Sequence, residues 1–92
     1  MIDLTSTPRK NDDYCVRDLG TETVFLSPDG SQVHAVNELG TFIWSLLDGA
    51  SSLRQVRDRI CEVYDVPPRE SEADLLEFVG EMAQRNLVIV ES

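Results

Sequence analysis

The first part of the chain alternates apolar and polar residues with a period of two, a pattern typical of β-strands. Three segments carry this pattern: residues 14–17, 23–26 and 32–36. Between the second and third lies a turn sequence, in which Pro28 presets one backbone angle and Gly30 can adopt a positive φ angle. The pattern therefore predicts three strands, of which the second and third form a hairpin.

Beyond residue 36 the apolar spacing changes to that of amphipathic helices. Asn37 is a suitable N-cap for a first helix, and Gly49 is expected to end that helix in a left-handed conformation. We expect Trp44 to pack in the core. The apolar residues of this helix are Leu39, Phe42, Ile43, Trp44, Leu46 and Leu47.

A second and a third helix follow. Ser52 with Gln55 resembles a capping box that opens the second helix, and the pair Pro67-Pro68 is expected to end it. Its apolar stripe comprises Leu53, Val56, Ile60 and Val63. Ser71 with Asp74 is expected to open the third helix, which carries Leu75, Phe78, Val79 and Met82. Residues 87–90 form a short β-prone tail that could pair with a sheet edge or pack on the helices.

Strands that precede helices are typical of an α+β domain. We therefore expect a three-stranded antiparallel sheet followed by a three-helix bundle, in the outline of a winged helix-turn-helix. Residues 1–13, which are mostly polar and contain Pro8, are expected to form a flexible N-terminal arm, and residues 14–92 the folded domain.

Size and charge narrow the range of functions. The chain has 92 residues, which suits one domain, and it carries 17 acidic and 8 basic residues, a net charge of −9. Because nucleic-acid binding requires cations that replace condensed counterions, we expect no nucleic-acid partner. Residues 1–5 lack the features of a secretory signal and no apolar run is long enough to span a bilayer, so we expect a cytoplasmic protein without membrane contact.

Few residues could carry out catalysis or hold a metal. Cys15 and Cys61 belong to no CxxC pair, and His34 is the only histidine, so zinc-ligand spacing is absent. We expect two free and mostly buried thiols, with a disulfide between them left open as an alternative. Nothing in the sequence supplies His34 with an orienting partner and a nucleophile, so we expect no catalytic residue, no metal and no cofactor.

The segment VNELGTFIWSLLDG, residues 36–49, resembles the PqqD-like proteins, also called RiPP recognition elements. (A RiPP is a ribosomally synthesised and post-translationally modified peptide.) The family pattern reads LN-x-x-(G/A)-x-x-(I/L)-W-x-L-L-D-G, and Val36 stands where leucine is common. The resemblance continues through the second and third predicted helices, at Ser52-Leu53, Val56, Ile60, Tyr64-Asp65-Val66, residues 73–79 and residues 86–88. Only the N-terminal arm lies outside it.

This resemblance implies a non-catalytic domain that binds the leader segment of a precursor peptide and presents the peptide to a modifying enzyme. The leader would add a strand to the edge of the third predicted strand and lie in an apolar cleft against the third helix. The residues concerned would be Gln32, Val33, His34, Ala35 and Val36 on the strand, with Asp74, Leu75, Phe78, Val79 and Met82 on the helix. Partner enzymes of the family include radical S-adenosylmethionine (radical SAM) enzymes and the proteases or cyclases of lasso-peptide systems.

Other functions fit parts of the sequence. A winged-helix transcription regulator, or a protein–protein adaptor, would share the architecture, but a regulator requires a basic recognition helix. The third predicted helix is acidic instead, and its acids form either a solvated face or a rim that selects basic leaders. They are Glu70, Glu72, Asp74, Glu77 and Glu81. An acyl carrier protein would require an Asp-Ser-Leu attachment site at a helix start, which the sequence lacks.

Overall fold

The three central strands precede residue 37, where the apolar period changes, and the three helices follow it, in a computed structural model that describes residues 2–90. In chain order they are β1 (Arg9–Lys10), β2 (Cys15–Asp18), β3 (Thr23–Leu26), β4 (Val33–Val36), α1 (Glu38–Leu46), α2 (Leu53–Tyr64), α3 (Pro68–Gln84) and β5 (Val88–Ile89). The predicted α+β order is confirmed, although β2 and β4 each begin one residue later than expected. Met1, in the predicted arm, and residues 91 and 92, in the predicted domain, lie outside the described residues.

The central sheet has the strand order β2-β3-β4, and both strand pairs are antiparallel. The inner face of β3 contributes Thr23 and Phe25 to the core, both almost fully buried. The Phe25 ring packs edge-on against Trp44 of α1, with ring centroids 4.7 Å apart. The hydroxyl of Thr23 donates a hydrogen bond to Oγ1 of Thr41 at 2.9 Å, which satisfies two buried polar groups. These contacts hold α1 against the sheet.

The first helix, α1, packs against β3 and β4 of the sheet, and α2 and α3 pack against each other. The buried apolar core consists of Phe25, Ile43, Trp44, Leu47, Leu53, Val56, Ile60, Leu75, Val79, Met82, Leu87 and Val88. Trp44 is buried, as expected. Val63, expected on the buried stripe of α2, is instead 53% exposed. Tyr64, one residue later, takes the inner position and packs against the Phe42 ring, with centroids 5.5 Å apart.

The first helix begins as expected, since the side chain of Asn37 accepts a hydrogen bond from the N–H of Gly40 at 2.9 Å. Its end differs from the prediction. Leu47 is the C-cap and has an extended conformation, so the expected left-handed cap at Gly49 is wrong. Gly49 does have a φ angle of +79°, but it lies in the loop after the helix, where its N–H donates to the carbonyl of Pro8 at 2.9 Å.

The predicted capping box of α2 is confirmed, because Ser52 and Gln55 exchange both hydrogen bonds. The third helix, however, begins at Pro68, three residues before the expected start at Ser71. Proline suits the first turn of a helix, because the N–H that it lacks would have no partner within the helix there. Ser71 consequently lies inside the first turn with a buried side chain, and it does not cap the helix.

The segment 2–13 is packed along the domain, which differs from the flexible arm that we expected. Its apolar residues Ile2 and Leu4 pack against the core. The carbonyl of Ser6 accepts a hydrogen bond from the N–H of Leu53 at 2.9 Å, which satisfies a free N–H at the start of α2. β1 pairs antiparallel with β5, so the β-prone tail joins this segment rather than the central sheet. Apolar side chains and shared backbone bonds therefore hold the segment in place.

Candidate functional site

β4 forms one edge of the central sheet, since among residues 2–90 only β3 pairs with it. Its side chains alternate between the two faces, as those of a strand must. His34 and Val36 are half-buried on the inner face, where they pair with the buried residues of β3. Val33 and Ala35 are exposed on the outer face. Gln32 lies just before the strand and is also exposed.

The free edge of β4 presents the backbone groups of Val33 and Ala35. At the hairpin end of the strand, the N–H of Ser27 donates to the carbonyl of Gln32 at 3.0 Å. Hydrogen-bonded and non-bonded pairs alternate along an antiparallel ladder, so His34 directs its backbone groups towards β3. The N–H and C=O groups of Val33 and Ala35 therefore point away from β3, with the spacing that a further strand requires.

An open cleft with a volume of about 250 Å³ lies between β4 and α3. Its lining residues are His34, Ala35, Val36, Asn37, Phe78, Glu81 and Met82. Met82 is only 1% exposed, whereas Phe78 is half-buried. The Phe78 ring is therefore the main apolar surface that the helix offers to the cleft.

Gly40, in the first turn of α1, permits this position of the Phe78 ring. A Cβ atom on Gly40 would lie 2.8 Å from the Cβ atom of Val36 and 3.1 Å from Cε2 of Phe78. Carbon atoms in favourable contact lie roughly 3.5–4.0 Å apart. A side chain at residue 40 would therefore separate the strand from the helix and change the shape of the cleft.

The structure divides the predicted helix residues between the cleft and the core. Leu75 and Val79 are 0% exposed and lie in the core, so they do not form part of the cleft wall. Positions 75, 79 and 82 form one stripe at helical spacing, and this stripe faces inwards. The adjacent row consists of Asp74, Phe78, Glu81 and Arg85, and each of its members lines a surface depression. Sequence reasoning did not assign Asn37 or Arg85 to the site and considered Glu81 only as part of an acidic rim, although the spacing from Phe78 could have indicated Glu81 and Arg85.

A second, narrower cavity of about 130 Å³ lies where α1, α2 and the start of α3 meet. Its lining residues are Leu39, Ile43, Ile60, Tyr64, Val66, Glu70, Ser71, Asp74 and Leu75. Asp74, which the sequence placed in the cleft, belongs to this cavity. The cavity was not predicted, because it exists only through the packing of three helices.

Asp29 fixes the hairpin that presents β4. Its carboxylate accepts hydrogen bonds from the hydroxyls of Ser31 and Ser27, both at 2.7 Å, and from the N–H of Ser31 at 3.0 Å. The hydroxyl of Ser31 is the largest cause, followed by its N–H, of a lowering of the Asp29 pKa from 3.8 to about 2. These bonds stabilise the charged form of the carboxylate, and the charged form in turn holds the turn closed.

In the described part of the chain, no three His, Cys, Asp or Glu side chains are grouped so as to hold a metal ion. Cys15 and Cys61 are not joined by a disulfide. Cys15 is exposed, which contradicts the expectation of a mostly buried thiol, because it lies on an outer strand of the sheet. No helix between residues 2 and 90 is both long enough and apolar enough to cross a membrane.

Comparison with known proteins adds to this geometry. The sequence profile of Coenzyme PQQ synthesis protein D (PqqD) matches residues 22–88, a span that includes β3, β4, all three helices and Val88 of β5. The chain belongs to the PqqD family. The match therefore includes both walls of the cleft. A search of curated protein sequences gave no significant match.

Solved structures share this PqqD-family fold. TbiB1 in complex with the TbiA(β) leader peptide is similar with a TM-score of 0.81 and 25% sequence identity, over 91% of this chain and 98% of that chain. The PqqD truncation of Methylobacterium extorquens PqqCD, a functional and stand-alone RiPP recognition element, has a TM-score of 0.77 and 21% identity, over 97% of this chain and 95% of that chain. The heterocyclase TruD contains a similar fold in 12% of its chain, with a TM-score of 0.64 and 12% identity over 94% of this chain.

Proposed function

We propose that this chain binds the leader segment of a RiPP precursor peptide and presents the peptide to a modifying enzyme. The observation that carries the proposal is the open edge of β4 beside an apolar cleft, in a chain of the PqqD family. TbiB1, which has the same fold, is bound to a leader peptide. The function is one of binding, with the chemistry supplied by the enzyme.

In this proposal the leader pairs antiparallel with β4 and covers the cleft. The outward N–H and C=O groups of Val33 and Ala35 bond to the backbone of the leader, whatever its sequence. Selectivity then depends on side chains, and the Phe78 ring offers the apolar surface that an anchoring residue of the leader needs. His34 and Val36 form the opposite wall of the cleft.

Binding the leader would raise the effective concentration of the rest of the precursor near the enzyme, because the second encounter becomes intramolecular. The partner would be a RiPP-modifying enzyme. A radical SAM enzyme, or the protease or cyclase of a lasso-peptide system, follows from the family resemblance. Such a role, together with the net charge of −9, suits a cytoplasmic protein that binds neither nucleic acid nor membrane.

A matched pair of proline variants tests the proposal. Ala35→Pro removes an outward N–H from β4 without breaking a bond to β3, and Val16→Pro does the same on the free edge of β2. The assignment for Val16 follows from the hydrogen bond between the N–H of Leu19 and the carbonyl of Glu22, at 2.8 Å, which sets the alternation along β2. The probes are peptides selected from a random display library against the wild-type protein, and affinity is measured by calorimetry.

We expect Ala35→Pro to weaken peptide binding at least about tenfold, roughly 1.4 kcal/mol, and Val16→Pro to leave it within about twofold of wild type. Backbone amide shifts on titration should be largest at Val33, Ala35 and Phe78. Unfolding midpoints of both variants are measured on the same samples, so that a loss of folding is separated from a loss of binding. Selected peptides that shift the amide signals of α2 instead, or that bind Ala35→Pro as tightly as wild type, would refute the assignment of the site to β4.

A further inference from the structure

We propose that the cavity at the start of α3 is a second pocket for the precursor peptide. It would take one aromatic or branched apolar side chain, next to a cationic residue, from the part of the peptide that precedes the segment paired with β4. This inference rests on the proposed function, because it concerns the same peptide.

The size and lining of the cavity indicate the apolar side chain. Its volume is about 130 Å³, and much of its wall is formed by aliphatic side chains of three helices. An apolar protein cavity of roughly 150 Å³ stays dry and binds benzene, so this cavity is close to the size needed for one ring or one branched aliphatic group. Ile60 and Leu75, which are 3% and 0% exposed, form part of its inner wall.

Ser71 provides a second and independent observation. It lines the cavity, is 4% exposed, and its hydroxyl has no hydrogen-bond partner within the described residues. Buried hydroxyls are normally hydrogen-bonded, and those without a partner call for an explanation. A polar group of a bound peptide that reached this hydroxyl would supply the missing partner.

The charge at the rim of the cavity indicates that the peptide carries a cationic residue next to the apolar one. Glu70 and Asp74 both line the cavity and are exposed to solvent. Opposite charges at the rim of an interface contribute to the choice of partner and to the rate of association. Arg85, at the other end of the same helical row, lines the depression beside Val33 and His34. The charge along the peptide path therefore changes from negative at the start of α3 to positive at its end.

The cavity lies on the path of a peptide that pairs antiparallel with β4. The beginning of β4 lies beside Arg85, and its end lies beside Phe78, so the strand and α3 run in opposite directions. The N-terminal part of an antiparallel peptide would pass Asn37 and continue towards Asp74, about 6 Å along α3 from Phe78. The residue opposite Asn37 lies two positions before the residue opposite Ala35, and the further distance of about 6 Å takes about two extended residues at roughly 3.3 Å each. The side chain that enters the cavity would therefore lie about three to five residues before the residue opposite Ala35.

The test uses two small probes, N-acetyl-phenylalanyl-arginine amide and N-acetyl-phenylalanyl-glutamate amide, added to the full chain with isotope-labelled methyl groups. We expect the arginine probe to cause saturable shifts of the methyl signals of Ile43, Ile60 and Val66. The glutamate probe should bind about threefold more weakly, the effect of an exposed charge pair. Shifts that do not saturate, that are equal for the two probes, or that are confined to residues of the β4 cleft would overturn the proposal.

Variants separate this pocket from the β4 site. Ser71→Leu and, as a second filling variant at a half-buried position, Leu39→Phe should each abolish the methyl shifts, whereas Ala35→Pro should leave them unchanged. Peptides selected against wild type should lose about tenfold in affinity for both filling variants, as for the loss of one anchoring side chain. If the small probe binds the cavity but the selected peptides keep full affinity for the filling variants, the cavity serves another partner and the assignment to the precursor is wrong. A loss of peptide affinity in Ala35→Pro, with unchanged methyl shifts from the arginine probe, separates the two sites and supports the pocket assignment.

Discussion

The two walls of the cleft differ in kind. The strand wall, β4, offers backbone groups at a free edge, and its outer residue Val33 is 68% exposed. The helix wall, α3, offers the half-buried Phe78 directly beside Leu75, Val79 and Met82, which are at most 1% exposed. A change at the outer residues Val33 and Ala35 therefore alters a surface, whereas a change on the helix alters surface and core together. Binding and stability should be separable on β4 and coupled on α3.

Met82→Asp should have the largest effect, because Met82 lines the cleft but is 1% exposed. Loss of the apolar contacts and burial of an unpaired carboxylate should cost at least about 3–5 kcal/mol, much of the stability of so small a domain. Urea unfolding followed by circular dichroism measures the loss. Glu81→Gln, on the exposed row beside it, is the control and should stay within about 0.5 kcal/mol of wild type. A Met82→Asp protein with a wild-type midpoint would show that α3 is not coupled to the core at this position.

Phe78→Ala should have an intermediate effect on stability and a clear effect on binding. Because the ring is half-buried, we expect a loss of about 1–3 kcal/mol in stability, less than the 3–5 kcal/mol typical of a fully buried phenylalanine. Peptide affinity should fall roughly tenfold to a hundredfold if the ring anchors the peptide. Unfolding midpoint and affinity are measured on the same variant. A loss of stability with unchanged affinity would assign Phe78 to the core alone.

Val33→Asp should leave stability within about 0.5 kcal/mol of wild type, since the side chain lies on the exposed outer face of β4. A charge on a free edge opposes the addition of a strand, so peptide affinity should fall about tenfold. Val16→Asp, on the free edge of β2, is the control and should not change affinity. Equal losses for the two variants would point to an effect of net charge rather than of the β4 edge.

The smallest effect concerns the hairpin turn that presents β4. The pKa of Asp29 is lowered from 3.8 to about 2 in the folded protein, so its charged form is stabilised by folding. Its contribution to stability should be complete above pH 3.8 and should be lost as the pH falls from there to about 2. Titration of the side-chain carboxyl carbon by NMR measures the midpoint, and Asp29→Ala should remove this component of the pH dependence. A midpoint near 3.8 would show that the hydrogen bonds of the turn do not form in solution.

Features that depend on neighbouring residues were predicted well. Asn37 caps α1 and Ser52 with Gln55 caps α2, because a side chain and the N–H groups within one turn suffice for such a cap. The hairpin at residues 27–31 follows from turn chemistry in the same way. The start of α3 was misplaced, because Ser71 has the chemistry of a cap but Pro68 can occupy the first turn.

The composition of the cleft could be predicted only in part. The sequence identifies Phe78 and Leu75 equally as apolar residues of α3, and periodicity alone does not state which stripe of a broad apolar face meets the core. Packing of α3 against α2 directs Leu75 inwards and leaves Phe78 half-buried. The packing of the segment 2–13 was not predicted for a related reason, since its few apolar residues form no regular pattern along the sequence, although Ile2 and Leu4 pack against the core.

The sequence by itself determined the order of the three central strands and the three helices, and the absence of charged side chains within β4, because these depend on local period and on the residues themselves. The edge position of β4 depends on how the strands pair, which the tertiary structure sets. The tertiary structure alone decided which helical row faces the strand, that a cavity forms where three helices meet, and that Ser71 lies buried beside it. Those features arise from side chains distant in the sequence, whose contacts are set by the rotation and approach of packed helices.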